Sequence, residues 1–335
     1  MIAWLVTLLA PPVVAWLVVA LLLRTASARW LADLPNARSL HARPTPRLGG
    51  LGVLAGALPL IAWHADRELA VVLACAAFLA IVSLADDVRS LPVQVRLPAH
   101  VAAASVTVML AWHGDAQLAA WAALAWIVAI AWLTNLFNFM DGADGLAGGM
   151  AAVGFGALAL AAHEASPALA LACAALAAAC IGFLAHNFPP ARVFMGDAGS
   201  IPLGFLAGAL SFAGVSRSAW PAWFPLLVFS PFIVDASVTL VRRALRHEHV
   251  WRAHRSHYYQ RLVGAGWTHR RLALGAYGLM LAAAVSALAA LRVGPAGRYV
   301  ILAAWAVIYG LLLFAIDRRA PYRGANEAAP GRGSD

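Results

Sequence analysis

Apolar runs of 16 to 22 residues recur along this 335-residue chain, near 2–23, 48–64, 68–85, 95–112, 117–135, 145–162, 167–185, 200–215, 222–241, 272–291 and 299–316. Each is close to the roughly 20 residues that an α-helix needs to cross the hydrocarbon core of a bilayer. No water is present there to satisfy a backbone N–H or C=O, so a spanning segment of this kind must be helical. The expected fold is therefore all-α, a polytopic membrane protein of about eleven transmembrane helices. Only 12% of the residues are charged, against about 25% in an average soluble domain, which excludes that class.

The chain has no Lys, so its 24 basic residues are all Arg, and 20 of them fall in alternate loops and the C-terminal tail. The opposite side keeps Arg67, Arg217, Arg292 and Arg298. Positively charged loops stay in the cytoplasm, which places the N-terminus outside and the C-terminus in the cytoplasm. The net charge of +9 then reflects topology and attraction to anionic headgroups or substrates rather than nucleic acid. The first run is not a cleaved signal: Met1 to Ala10 carries no basic residue, the run is too long, and Arg24 follows it directly. Cys75, Cys173 and Cys180 lie inside apolar runs without metal-ligand spacing and read as packing residues. Residues 1–318 read as one transmembrane domain, and 319–335, rich in Gly, Pro, Ala and Arg, as a disordered cytoplasmic tail.

Polar groups set between such runs need a purpose, and the densest set is Asn135 to Gly148, Asn-Leu-Phe-Asn-Phe-Met-Asp-Gly-Ala-Asp-Gly-Leu-Ala-Gly. Asp141 and Asp144 each precede a Gly, so the backbone can turn tightly there and a ligand can approach it. Asn135 and Asn138, three apart near a helix end, share a face. The plainer account is a turn with Asp capping the next helix. Upstream, Arg43-Pro-Thr-Pro-Arg-Leu-Gly-Gly50 is a rigid basic segment ending in glycines at a helix start, which suits a phosphate. Asp86 and Asp87 end the third run; adjacent carboxylates repel, and a bound cation relieves that repulsion. His186-Asn187 leads into Phe194-Met-Gly-Asp197-Ala-Gly-Ser200, another acid flanked by Gly at a helix start. Asp235, inside the ninth run, reads as a helix–helix hydrogen bond.

The longest loop, Arg242 to Arg271, holds His247, His249, His254, His257 and His269 among eight arginines. The spacing of His254 and His257 places both imidazoles on one helical face. Zinc takes closer-matched ligands or Cys, so this loop reads as an anion-binding lid, with a basic surface touching acidic lipid as the alternative.

Asp86, Asp87, Asp141, Asp144 and Asp197 come from three loops, yet the arginine distribution puts all of them on one side of the membrane. Five acids without Cys form a hard oxygen set, which selects Mg²⁺ or Mn²⁺. Carboxylates and a divalent cation ringed by Arg and His suit phosphoryl transfer, because cations offset charge on the transferring and leaving phosphates.

Taken together, the Pro-Thr-Pro-Arg block at 44–47, the Asp pair at 86–87, Asn-Phe-Met-Asp-Gly at 138–142 with Asp144-Gly-Leu-Ala, Phe-Met-Gly-Asp-Ala-Gly-Ser at 194–200 and His-Arg-Ser-His at 254–257 resemble one family. It is the polyprenyl-phosphate N-acetylhexosamine-1-phosphate transferases, which include the peptidoglycan translocase and the initiating enzymes of O-antigen, common-antigen and teichoic acid synthesis. The resemblance runs from Pro35 to Leu262 and departs at Leu48, where the O-antigen-type relatives tend to carry Gly. It implies transfer of a sugar 1-phosphate from a UDP-N-acetyl amino sugar to undecaprenyl phosphate, with release of UMP, at the cytoplasmic face of a bacterial inner membrane; a homodimer is compatible with it. It also implies a catalytic set of Asp86, Asp87, Asp141, Asp197, His254 and His257, with Asp197 and Asp87 on Mg²⁺ or Mn²⁺. Asn135, Asn138, Asp144, Asn187 and Arg255 would bind the nucleotide sugar, and Arg43, Thr45 and Arg47 a substrate phosphate or the uridine. The His-Arg-Ser-His spelling resembles the O-antigen branch more than the triple-His form of the peptidoglycan enzyme. Two other classes fit less well. A transporter would bind its ligand near the bilayer midplane. A CDP-alcohol transferase would need Asp-Gly-x-x-Ala-Arg and later Gly-x-x-x-Asp-x-x-x-Asp, where this chain has Asp141-Gly-Ala-Asp-Gly-Leu146 and lacks the second half.

Overall fold

The computed structural model describes residues 2–25, 28, 31–34, 40, 44–111, 120–249 and 254–322. In chain order the elements are α1 (Ile2–Leu22), β1 (Ala32–Asp33), β2 (Thr45–Pro46), α2 (Gly49–His64), α3 (Arg67–Arg89), α4 (Val93–Ala111), α5 (Ala120–Met140), α6 (Leu146–Ala162) and α7 (Pro167–Asn187). Then come α8 (Asp197–Ser216), α9 (Trp223–Val228), α10 (Ser230–Leu245), α11 (Tyr258–Gly264), α12 (His269–Arg292) and α13 (Pro295–Arg319).

Among the described residues α1, α3, α4, α5, α7, α8, α12 and α13 are long and apolar enough to cross a membrane, and α2 and α6 are shorter apolar helices. The eleven expected runs differ most at 222–241, which divides into α9 and α10. The cause is local. Pro231 has no N–H to offer the carbonyl of Leu227, one turn earlier, and the Ser230 hydroxyl donates to that carbonyl instead at 2.6 Å. Of the expected tail, Arg319 is still helical, Ala320 is buried, and 323–335 lie outside the described residues.

The bundle is built around α8, in which every residue from Ala198 to Gly214 is buried. It packs on α3 and α5, while α7 packs on α1, α2 and α6. Between helices in lipid there is little hydrophobic driving force, so small residues that let backbones approach do the work. A Cβ at Gly204 would stand 2.5 Å from the Leu133 carbonyl oxygen, which shows how close α8 lies to α5. At the end of the bundle where α8 finishes, Arg217 donates to Glu68 at 2.8 Å, to Asp66 at 2.9 Å and to Ser166 at 3.0 Å, tying α3, α7 and α8 together. The motif residues gather at the other end, where α3, α5 and α7 finish and α8 starts.

Candidate active site

The basic block works first as a clamp. Phe194 N–H donates to the Pro46 carbonyl at 2.8 Å, Gly49 N–H to the Phe194 carbonyl at 2.9 Å, and Gly50 N–H to the Met195 carbonyl at 2.9 Å. The first two N–H groups of α2, expected to face a phosphate, are therefore spent on the strand that leads into α8. The contact tolerates no side chain: a Cβ at Gly50 would lie 2.1 Å from the Gly199 Cα. Thr45 is buried in β2, paired with Asp33 of β1, and the Arg47 guanidinium meets the Asp33 carboxylate at 2.5 Å. Arg43 lies outside the described residues.

This clamp fixes the N-terminus of α8 against the last turn of α3, where the acids meet. Asp87 accepts the Ala198 N–H at 3.0 Å and the Asp197 N–H at 3.4 Å, so it caps α8 from a neighbouring helix. Asp86 is buried and accepts the Leu91 N–H at 2.6 Å and the Arg96 guanidinium at 2.8 Å. Arg96 also stands 3.7 Å from Asp197, so one cation from α4 faces two of the expected site acids. Asp141 follows the last residue of α5. Burial and the nearby carboxylates of Asp197 and Asp87 push its carboxyl well above the usual carboxylate range. That crowding is the condition a divalent cation relieves. No three His, Cys, Asp or Glu side chains among the described residues enclose a metal by themselves. Asp87 and Asp197 offer carboxylate oxygens of the kind that Mg²⁺ takes, and the rest of such a shell would have to come from water or substrate phosphate.

The Asp-Gly-Ala-Asp-Gly turn is held from three sides. Gly145 adopts φ +74°, a left-handed conformation that favours glycine, and its N–H donates to Asn187 Oδ1 at 2.9 Å. The amide of Asn187 in turn donates to the Val193 carbonyl at 2.9 Å. Asn187 is buried, and both ends of its side chain join two backbone segments. Asp144 accepts the Ala191 N–H at 3.0 Å and contacts His269 Nδ1 at 3.0 Å, while His269 Nε2 lies 3.2 Å from the Leu40 carbonyl. Asn138 accepts from the Ser200 hydroxyl at 3.0 Å, linking α5 to α8. Asn135 donates back to the Ala131 carbonyl at 2.7 Å, beside His100.

The His-Arg-Ser-His segment is not helical, contrary to the periodic expectation. His257 has φ −59° and ψ 147°, the extended geometry of a helix N-cap, and Gln260 completes a capping box at the start of α11. The His254 and His257 rings nevertheless lie 4.9 Å apart, and Arg255 is exposed. Burial, with His257 and Arg243 nearby, lowers the His254 pKa to about 3, which keeps this imidazole neutral. Asp235 organises the segment. Its carboxylate accepts the Tyr258 N–H at 2.9 Å and the Tyr259 N–H at 3.0 Å, and stands 3.2 Å from His257 Nδ1. A carboxylate on Nδ1 favours the tautomer with hydrogen there and leaves Nε2 for a ligand. Tyr259 Oη donates to the Phe139 carbonyl at 3.0 Å, two residues before Asp141, which brings the segment to the acids.

Five separated motifs therefore converge on one end of the bundle. Residues 69–215 match the family model described as glycosyl transferase family 4. That match runs from α3 to α8 and takes in Asp86, Asp87, Asp141, Asp144 and Asp197. Over 263 residues it is 29% identical to a probable undecaprenyl-phosphate N-acetylglucosaminyl 1-phosphate transferase of Bacillus subtilis, covering 73% of each chain. It is also 29% identical over 289 residues to a decaprenyl-phosphate N-acetylglucosaminephosphotransferase of Mycolicibacterium smegmatis, covering 72% of this chain and 71% of that one. A shorter stretch of 93 residues is 50% identical to a phospho-N-acetylmuramoyl-pentapeptide-transferase of Trichormus variabilis, covering 28% and 24%.

Three residues stand in the site that the motifs did not assign to it. Arg96 counted only toward topology, Asp235 as a helix contact, and His269 as one loop histidine among several. Asp235 carried the one available signal, a carboxylate in an apolar stretch, which calls for a specific partner.

Proposed function

We propose that the protein transfers an N-acetylhexosamine 1-phosphate from a UDP-sugar to undecaprenyl phosphate, releasing UMP, at the cytoplasmic face of a bacterial inner membrane. On this reading it opens the synthesis of an envelope polysaccharide such as O-antigen. The observation that carries the proposal is the meeting of Asp86, Asp87, Asp141 and Asp197 at helix ends, with Arg96 between Asp86 and Asp197. A transporter would place such groups near mid-membrane instead. The relatives that match over most of their length, a probable undecaprenyl-phosphate N-acetylglucosaminyl 1-phosphate transferase and a decaprenyl-phosphate N-acetylglucosaminephosphotransferase by name, support a polyprenyl-phosphate acceptor and an N-acetylglucosamine donor.

Bound Mg²⁺ or Mn²⁺, held by Asp197 with Asp87, would offset charge on the transferring phosphate. The chain's own groups do the rest. Asp86 orients Arg96, whose guanidinium can hold the lipid phosphate at the membrane edge against the repulsion of the donor diphosphate. A phosphate monoester loses its second proton near pH 6, so the lipid phosphate is already a competent nucleophile at neutral pH. Direct, in-line attack on the phosphorus attached to the sugar then needs only alignment. Any proton still on the lipid phosphate passes to Asp86. His257, oriented by Asp235, presents Nε2 to the donor diphosphate.

The test incubates purified protein and Mg²⁺ with undecaprenyl phosphate and, separately, UDP-N-acetylglucosamine, UDP-N-acetylgalactosamine and UDP-N-acetylmuramoyl-pentapeptide. UMP and a lipid diphosphate sugar are expected with one of the first two. Absence of UMP with every donor would overturn the reading. A stoichiometric burst of UMP without lipid would replace direct attack with a covalent aspartyl intermediate.

A further inference from the structure

The last turn of α13 and the residues just after it reach back to the His254–His257 segment. Asp317 receives both terminal nitrogens of Arg242, at 2.8 and 2.7 Å, and Arg261 Nη2 at 2.7 Å. Arg261, buried in α11, also donates through Nε to the Ala320 carbonyl at 2.8 Å, and its Nη2 donates to the same oxygen. The Arg261 guanidinium lies over the Tyr258 ring at 4.6 Å. One step further, Tyr322 Oη donates to Glu248 at 3.0 Å, and Arg246 covers the Tyr322 ring at 4.2 Å.

These contacts join the end of α10 to α11, the two elements that flank the His-Arg-Ser-His segment. Their importance follows from what else holds α11. It has seven residues, too few to be stable alone. On one side it borders an apolar pocket of about 450 Å³, lined in part by Leu262, Leu279, Met280 and Leu312. Asp235 caps the N-terminal end of α11 and the Arg261 clamp holds its side.

We infer that Asp317 and the residues Ala320–Tyr322 that follow α13 form a positioning latch, which holds α11 and through it His254 and His257 in register with the acids. Asp317 is a positioning residue: it lies outside the sequence motifs and acts on the histidine segment through Arg242 and Arg261. The inference rests on the proposed transferase reading, in which the histidine segment serves the donor. It predicts that loosening the latch weakens donor use while leaving lipid use intact.

The experiment compares full-length wild type, Asp317→Asn, Asp317→Glu and Arg318→Gln in the same lipid nanodiscs. Arg318, the neighbour of Asp317, covers the Phe314 ring and serves as the control. KM for the UDP-sugar should rise about ten-fold or more in Asp317→Asn, with KM for undecaprenyl phosphate changed less than about two-fold, because only the donor-side arm is released. Asp317→Glu should recover most of the loss, and Arg318→Gln should match wild type. Hydrogen exchange of the α11 amides should be faster in Asp317→Asn than in wild type, and this readout needs no substrate. Unchanged exchange in α11 would overturn the latch even if wild type turned over no donor, a failure that would fall on the transferase reading alone. Equal changes in both KM values, or exchange raised throughout the bundle, would overturn it in favour of a general structural role.

Discussion

Replacing Asp235 with Asn is the sharpest perturbation of the site, because it keeps the size of the side chain and removes only the charge and one acceptor. In the wild type three donors converge on Oδ1: the Tyr258 N–H at 2.9 Å, His257 Nδ1 at 3.2 Å and the Thr239 hydroxyl at 3.3 Å. Oδ2 takes the Tyr259 N–H at 3.0 Å. An Asn can keep the oxygen facing the three donors, but its NH₂ group then meets the Tyr259 N–H, donor against donor. The substitution therefore loses one hydrogen bond to a charged group and weakens the others, costing about 1.5–3 kcal/mol. If the placement of His257 is needed in the transition state, that energy appears as a fall in kcat/KM of about 10- to 150-fold. The assay is UMP release per folded molecule, with the folded fraction taken from size exclusion in detergent. Asp235→Asn with kcat/KM within about three-fold of wild type would refute the assignment of the carboxylate as organiser of the histidine segment. So would a loss of folded protein with unchanged activity in what remains.

Asp197→Asn should abolish turnover while leaving the protein folded, since an amide is a weaker ligand than a carboxylate for a hard cation; Mg²⁺ should raise the melting temperature of wild type but not of the variant, and full turnover in excess EDTA would contradict the metal assignment. Arg217→Ala should cost about 1–2 kcal/mol of stability in thermal unfolding, because it leaves the partly exposed Asp66 and Glu68 without their shared cation, with little effect on kcat. The neutral state of His254 sets a pH dependence. Its folded pKa of about 3 lies below the ordinary value of 6.5, so the unfolded chain binds the proton first, and stability is full above pH 6.5 and declines as the pH falls toward 3. The melting temperature of His254→Gln should therefore fall less than that of wild type between pH 7 and pH 5.

Much of the protein is legible without coordinates. Apolar runs near the length of a bilayer leave the backbone no choice but helix, and the α3, α5, α7 and α8 helices lie where the hydropathy puts them. The acids, too, could be assigned to one end of the bundle before any contact was known, because arginine distribution and helix ends are properties of the chain in order. What the sequence left open was the partner of each polar group. Asp235 reads as a helix contact because most of its neighbours along α10 are apolar, yet three of its four donors lie 22 to 24 residues downstream across a loop. Asn187 reads as a ligand for substrate, but both ends of its amide are taken by backbone groups of two other segments. The N–H groups of Gly49 and Gly50 read as a phosphate cradle, but the strand before α8 takes them. Periodicity and propensity act over a few residues, through backbone geometry and the i to i+4 turn. Which N–H a carboxylate accepts depends on how distant helices pack, and only the tertiary structure decides that.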